Sequence, residues 1–305
     1  MSEKSQSRAI LLALMAVLMW STVATAFKLS LQHMSPLQLL GWAGLGSSVV
    51  LALGVSWQKG WHELSCEWRR RPLFYLALGA LNPAFYYLVL FRAYDLLPAQ
   101  QAQALNYTWA LTLALLAVPL LKQRLQRVDI MAMLLGYGGA LVIATKGNLL
   151  ALEFDSLTGV LLALFSTLLW ALYWILNTRA EGSPAVTLLL CFLCGTPMVW
   201  LLMAWQGELQ LPAWQGLLGA AYVGLFEMGL TFMLWLGALR AATHVSRISN
   251  LIFLSPFLSL IFIHFLLHEP IAPATFVGLG LIVTAVVWQQ HAARSEPMTA
   301  AEQPE

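Results

Sequence analysis

Runs of about twenty apolar residues, enough to cross a hydrocarbon core, alternate with short polar stretches along almost the whole chain. Ten such runs predict ten helical spans near 9–31, 36–57, 72–94, 98–120, 128–146, 157–178, 184–205, 213–239, 243–267 and 271–290. Proline marks many of the starts, at Pro36, Pro72, Pro98, Pro184, Pro212 and Pro270; at a helix's first turn its missing N–H costs little. The apolar run that begins at Ala9 is too long for the core of a cleaved leader and reads as the first span. Loops this short leave no room for an extramembrane domain. The polar stretch 291–305 is expected to be a disordered cytoplasmic tail.

A repeat is visible within this pattern. Leu11 to Trp20 reads LLALMAVLMW and Leu161 to Trp170 reads LLALFSTLLW, a match at a constant offset of 150. A Ser-Pro pair opens the next span in each half, at Ser35-Pro36 and Ser183-Pro184, and Gly136 and Gly138 align with Gly278 and Gly280. The halves are expected at 1–150 and 151–290. Each holds an odd number of spans, so the second must be inserted upside down relative to the first. The expectation is an all-α membrane protein of ten transmembrane helices in two inverted five-helix repeats. Many secondary transporters have this architecture, with the substrate near the midplane and alternating access between the halves.

Composition strengthens the membrane reading. Sixty per cent of the 305 residues are hydrophobic, 10% are charged, and the mean hydropathy is +0.74, whereas soluble domains carry about 25% charged residues. Net charge, at +2, says little about an acidic partner, and nothing points to nucleic acid. Basic residues matter instead for orientation. With a cytoplasmic N-terminus, Lys4, Arg8, Lys59, Arg69, Arg70, Arg71, Lys122, Arg124, Arg127, Arg179, Arg240 and Arg294 all fall on the cytoplasmic side, against Lys146 on the other. Cys191 and Cys194 have CxxC spacing, but no histidine or second pair completes a set of four metal ligands; small residues inside a buried helix is the plainer reading.

The order and spacing of several motifs resemble the drug/metabolite transporter superfamily and, within it, the EamA family. They are Trp20-Ser21-Thr22 with Phe27-Lys28, Trp170, Arg92-Ala93-Tyr94 running into Ala99, and Ser255-Pro256-Phe257 ahead of Glu269 and Gly278. The resemblance implies a bacterial inner-membrane exporter of amino acids or related metabolites. The segment Leu105-Asn106-Tyr107-Thr108-Trp109-Ala110 is similar to a signature of the aromatic amino acid exporter branch, with Ala110 where that branch has proline. Gln123 stands where the first repeat often carries glutamate, as Glu269 does in the second.

An ionisable side chain near the bilayer centre costs about 2.5–3.5 kcal/mol on insertion scales, which makes it a functional candidate. Glu227, in the eighth span, is such an acid, and aligning Ala93 with Ala238 puts Asn82 opposite it in the third. Glu227 would exchange a proton or pair with a substrate ammonium; a structural hydrogen bond to Asn82 or a tyrosine is the alternative. Arg247, followed by Asn250, would hold a substrate carboxylate in a bidentate fork or snorkel to headgroups. Lys28, where the family often has lysine, would line the exit path or snorkel. Trp20, Tyr86, Asn106, Tyr107, Trp109, Trp170, Tyr173 and Trp174 complete the candidate substrate site; the aromatic ones, with Tyr87 beside them, offer rings as stacking surfaces for a planar or cationic substrate.

No HExxH, GxSxG or P-loop occurs, so an enzyme is not expected, nor is any cofactor or metal. The expected partners are a small-molecule substrate and the lipid bilayer. Gly136, Gly138, Gly139, Gly278 and Gly280 suggest close helix packing or a homodimer interface. Drug, amine or nucleobase export, and binding without transport, remain the alternatives to amino acid export.

Overall fold

The computed structural model describes residues 5–121, 127–150, 154–242, 248 and 251–294. Among these, eight helices are long and apolar enough to cross a membrane: Gln6–Leu31, Pro36–Trp57, Pro72–Leu96, Ala99–Leu121, Arg127–Ala144, Leu157–Asn177, Pro184–Gln206 and Trp214–Trp235. Two shorter apolar helices, Leu251–Leu267 and Pro273–Gln289, follow. These are the ten spans, in the expected order. The last helix runs on to Arg294, so the first residues of the expected tail are helical. An unexpected short helix, Trp61–Arg70, lies between the second and third spans and is strongly two-faced; its mixed sequence is too polar to register as a span.

The inverted repeats are interleaved rather than side by side. The first span packs on the eighth and the sixth on the third; the second packs on the eighth, the seventh on the third, and the fifth on the tenth. Each repeat thus supplies its first, second and fifth spans to the other. At Gly79 a side chain would run into the Cys191 carbonyl and lie 2.9 Å from the Gly195 amide nitrogen. At Gly224, its counterpart at the offset of 145, one would run into the Ala43 carbonyl and lie 3.0 Å from the Ser47 amide nitrogen. Cys191 is therefore part of a backbone-to-backbone helix crossing, and both it and Cys194 are buried thiols.

Both third spans of the repeats are wound into π-helix at equivalent places, Ala80–Phe85 and Val223–Leu230. In the first, Asn82 leaves helical geometry altogether (φ −143°, ψ 118°) ahead of Pro83; in the second, the Met228 carbonyl accepts a 3.0 Å bond from Ser47 Oγ on the second span. The fourth spans are broken as well. The fourth span divides into Ala99–Asn106 and Trp109–Leu121, and the ninth into a 3-10 turn Leu251–Leu254 and the helix Ser255–Leu267. Such interruptions are tolerated at membrane depth only where neighbouring protein satisfies the backbone, and π segments recur at functional sites.

Polar staples tie the ends. At the basic end, Glu63 on the short helix accepts from the backbone N–H and the hydroxyl of Ser183, at the start of the seventh span, while Glu181 pairs with Arg70 and Arg71. At the opposite end Glu208 accepts from Ser35, at the start of the second span. Glu63 and Glu208 are repeat equivalents, as are Ser35 and Ser183. Gln100 joins the fourth span to the tenth by donating to the Pro270 carbonyl (3.0 Å) and accepting from Ala272 N (3.1 Å) and Thr275 Oγ1 (2.7 Å).

Gly139 and Gly278 meet at the crossing of the fifth and tenth spans: a side chain at Gly139 would sit 2.6 Å from the Gly278 carbonyl oxygen, and one at Gly278 would run into the Gly139 carbonyl. A side chain at Gly136 would run into Leu111, within the same bundle, whereas Gly138 and Gly280 face open space. The glycines at the crossing serve packing inside the chain.

Candidate functional site

The two π segments bring their polar residues to one level of the bundle. Glu227 accepts a 3.3 Å hydrogen bond at Oε1 from the Tyr87 hydroxyl, while its Oε2, shielded from solvent, makes none. The Trp20 indole N–H faces the same carboxylate, and the hydroxyls of Tyr86, Tyr94 and Tyr107 lie within its electrostatic reach. Asn82, 2% exposed, faces the Tyr173 hydroxyl, and its Oδ1 makes no hydrogen bond. Glu227 and Asn82 each face a different tyrosine, Tyr87 and Tyr173.

Around them the aromatic residues sort into two groups. Tyr86 stacks on Trp170 at 4.6 Å and 27°, and Trp170 on Tyr173 at 5.5 Å and 26°, with Trp174 edge-on to Trp170 at 5.8 Å. Trp20 packs at 5.7 Å on Phe232 and 5.5 Å on Trp235. The groups correspond in part: Trp20 aligns with Trp170, and Phe232 with Tyr87, whose ring packs on Tyr86 at 4.8 Å. In each, the first-span tryptophan of one repeat meets the third span of the other. Asn106 faces Tyr86 and donates a 2.9 Å bond to Ser166 Oγ on the sixth span. Tyr107, at the break in the fourth span, faces Ser255, at the break in the ninth.

Of the sequence candidates, Trp20, Asn82, Tyr86, Asn106, Tyr107, Trp170, Tyr173 and Glu227 come together here. Trp174 borders the stack, and its buried Nε1 makes no hydrogen bond. Trp109, half-buried, starts the second half of the fourth span. Lys28 Nζ donates 2.8 Å bonds to the carbonyls of Tyr94 and Leu97, capping the end of the third span. Arg247 and Asn250 lie outside the described residues, as does Gln123. Tyr87, whose hydroxyl holds Glu227, is among the aromatic residues the sequence singles out, but nothing in sequence distinguishes it from neighbouring Tyr86 as that partner.

Two cavities lie outside this cluster. One, of about 300 Å³, opens between the fourth, fifth and sixth spans beside a hydroxyl triad in which Thr112 Oγ1 is 2.7 Å from Tyr137 OH and 2.9 Å from Thr167 Oγ1. The other, of about 200 Å³, is bordered by Ser35, Arg92 and Glu208. Arg92 pairs with Asp95.

Comparison with known proteins agrees with the two-fold build. A transporter of Bacillus subtilis, YvbV, described as uncharacterized, is 23% identical over 94% of this chain and 92% of its own length. The aromatic amino acid exporter YddG of Ancylobacter novellus is 25% identical over 76% of this chain and 79% of its own. A protein of known crystal structure superimposes with a TM-score of 0.66 at 22% identity, over 95% of this chain and 99% of that one, which shows a common fold. The EamA-like transporter family matches residues 7–145 and again residues 157–288. Matched once in each half and over nearly its whole length, this multi-pass membrane chain belongs to the EamA-like transporter family.

Proposed function

We propose that this transporter exports amino acids, with a preference for aromatic side chains, across the bacterial inner membrane by alternating access between its halves, 1–150 and 151–290. The observation that carries the reading is the pairing of two unpartnered acceptor oxygens with a ring stack. Glu227 Oε2 and Asn82 Oδ1 need donors, which an α-ammonium supplies, and the Tyr86–Trp170–Tyr173 stack offers flat surface to a planar side chain. The exporter from Ancylobacter novellus lends its named substrate class to the same reading. Trp20, Asn106, Tyr107, Trp109, Trp174, Arg247 and Asn250 complete the proposed substrate path, and both termini are cytoplasmic.

Counterflow in proteoliposomes tests this. Vesicles preloaded with phenylalanine or tryptophan accumulate the labelled amino acid transiently, and alanine, aliphatic amines or nucleobases in the lumen support less. Equal stimulation by nucleobases or simple amines, or none by any amino acid, overturns the proposal.

A further inference from the structure

We infer that the seam between the fourth and ninth spans is a binding site for a sodium ion, distinct from the proposed contacts of the substrate. Three side-chain oxygens there, Thr25 Oγ1, Gln103 Oε1 and Ser259 Oγ, make no hydrogen bond, and a fourth, Ser255 Oγ, faces the Tyr107 hydroxyl. Their residues are 2%, 6%, 0% and 0% exposed. A buried oxygen without a donor is costly, and three in one region, with Ser255 Oγ beside them, ask for a common partner.

Register puts them together. The fourth span runs from the opposite end inward and the ninth runs outward, so the two are antiparallel. Tyr107 faces Ser255; one turn along each helix, Gln103 then falls opposite Ser259. The pairing continues to the end of the seam, where Glu269, just past the ninth span, accepts a 3.1 Å bond from the Ala99 backbone N–H. The first span packs on both helices, and Thr25 lies one turn from Lys28, whose Nζ reaches the Leu97 carbonyl just ahead of the fourth span.

The chemistry of the set selects the ligand. An amide carbonyl oxygen and three hydroxyl oxygens form a hard, all-oxygen donor group that suits a small hard cation. The half-helix Ala99–Asn106 ends at the break beside Tyr107, where its carbonyl end carries negative partial charge. Thr108 N–H turns to the Leu105 carbonyl at 3.1 Å, three residues back, interrupting the α-helical ladder. Broken helices use such carbonyl ends to hold coupling cations. With no carboxylate among the four oxygens, a monovalent ion fits better than a divalent one.

The test is binding of radioactive sodium to the purified, detergent-solubilised protein with no amino acid present. Saturable binding, competed by unlabelled sodium and not by potassium or choline, is expected. Gln103→Leu and Ser259→Ala each weaken it about tenfold or more. Both delete atoms that make no bond, so folding survives, as size-exclusion profiles verify; Thr196→Val, which removes an unpartnered hydroxyl on the seventh span, leaves binding unchanged. Absence of saturable sodium binding by the folded wild-type protein, meaning that the seam holds water alone, overturns the inference. Equal binding by wild type and both seam variants does so too. Neither outcome depends on which substrate is carried, so failure here and failure of the export proposal are separable.

Discussion

Replacing Glu227 with glutamine separates a substrate contact from a structural one, because the two predict opposite signs. The amide keeps an oxygen to accept the Tyr87 bond at 3.3 Å, so the local hydrogen bond survives. It also removes a carboxylate from membrane depth, where charge costs about 2.5–3.5 kcal/mol on insertion scales. Stability of Glu227→Gln should therefore equal or exceed that of the wild type. Substrate affinity should move the other way. A hydrogen bond to a charged group contributes about 1.5–3 kcal/mol, which corresponds to roughly 10- to 150-fold in dissociation constant. The assay is paired: equilibrium binding of the labelled amino acid that drives counterflow, and thermal unfolding in the same detergent. If the carboxyl serves as a proton carrier instead, Glu227→Gln retains affinity and substrate-for-substrate exchange while losing pH-driven flux. A dissociation constant within about threefold of wild type, with pH-driven flux intact, refutes both roles. A loss of affinity accompanied by a lowered unfolding temperature refutes the sign reasoning and points to a packing role.

Gly79→Val forces a side chain into the Cys191 carbonyl and should destabilise the bundle by about 1–3 kcal/mol or more, whereas Gly138→Ala, facing open space, should leave the unfolding temperature unchanged. Lys28→Met strips the donors from the Tyr94 and Leu97 carbonyls and should cost about 1–3 kcal/mol; Lys28→Arg should recover most of it, and equal unfolding temperatures for all three proteins would refute the capping role. In a Cys66→Ser background, a cysteine introduced at Glu181 should resist an impermeant maleimide in intact cells while one at Glu208 reacts. The reverse pattern would invert the proposed orientation.

Much of this protein is legible in its sequence because the bilayer imposes simple rules. A hydrocarbon core accepts only structures whose backbone bonds are closed internally, and apolar runs of about twenty residues fit helices, so the ten spans, their order and the odd number in each repeat follow from apolar run length. The repeat itself is written in LLALMAVLMW and LLALFSTLLW, and the acid that stands out at membrane depth, Glu227, is conspicuous because charge is rare there. Tertiary structure decided what these rules do not reach. Interleaving of the repeats, which places Trp20 on Phe232 and Trp170 on Tyr86, depends on side-chain packing between helices far apart in sequence. The π segments at Ala80–Phe85 and Val223–Leu230 leave no mark on hydropathy, since they change how backbone groups pair rather than which side chains are apolar. Lys28 shows the limit most plainly: its charge marks it in the sequence, but the two carbonyls it bonds lie sixty-six and sixty-nine residues away. Sequence reveals that a polar group sits in the membrane, but its hydrogen-bond partners are fixed only when the helices meet.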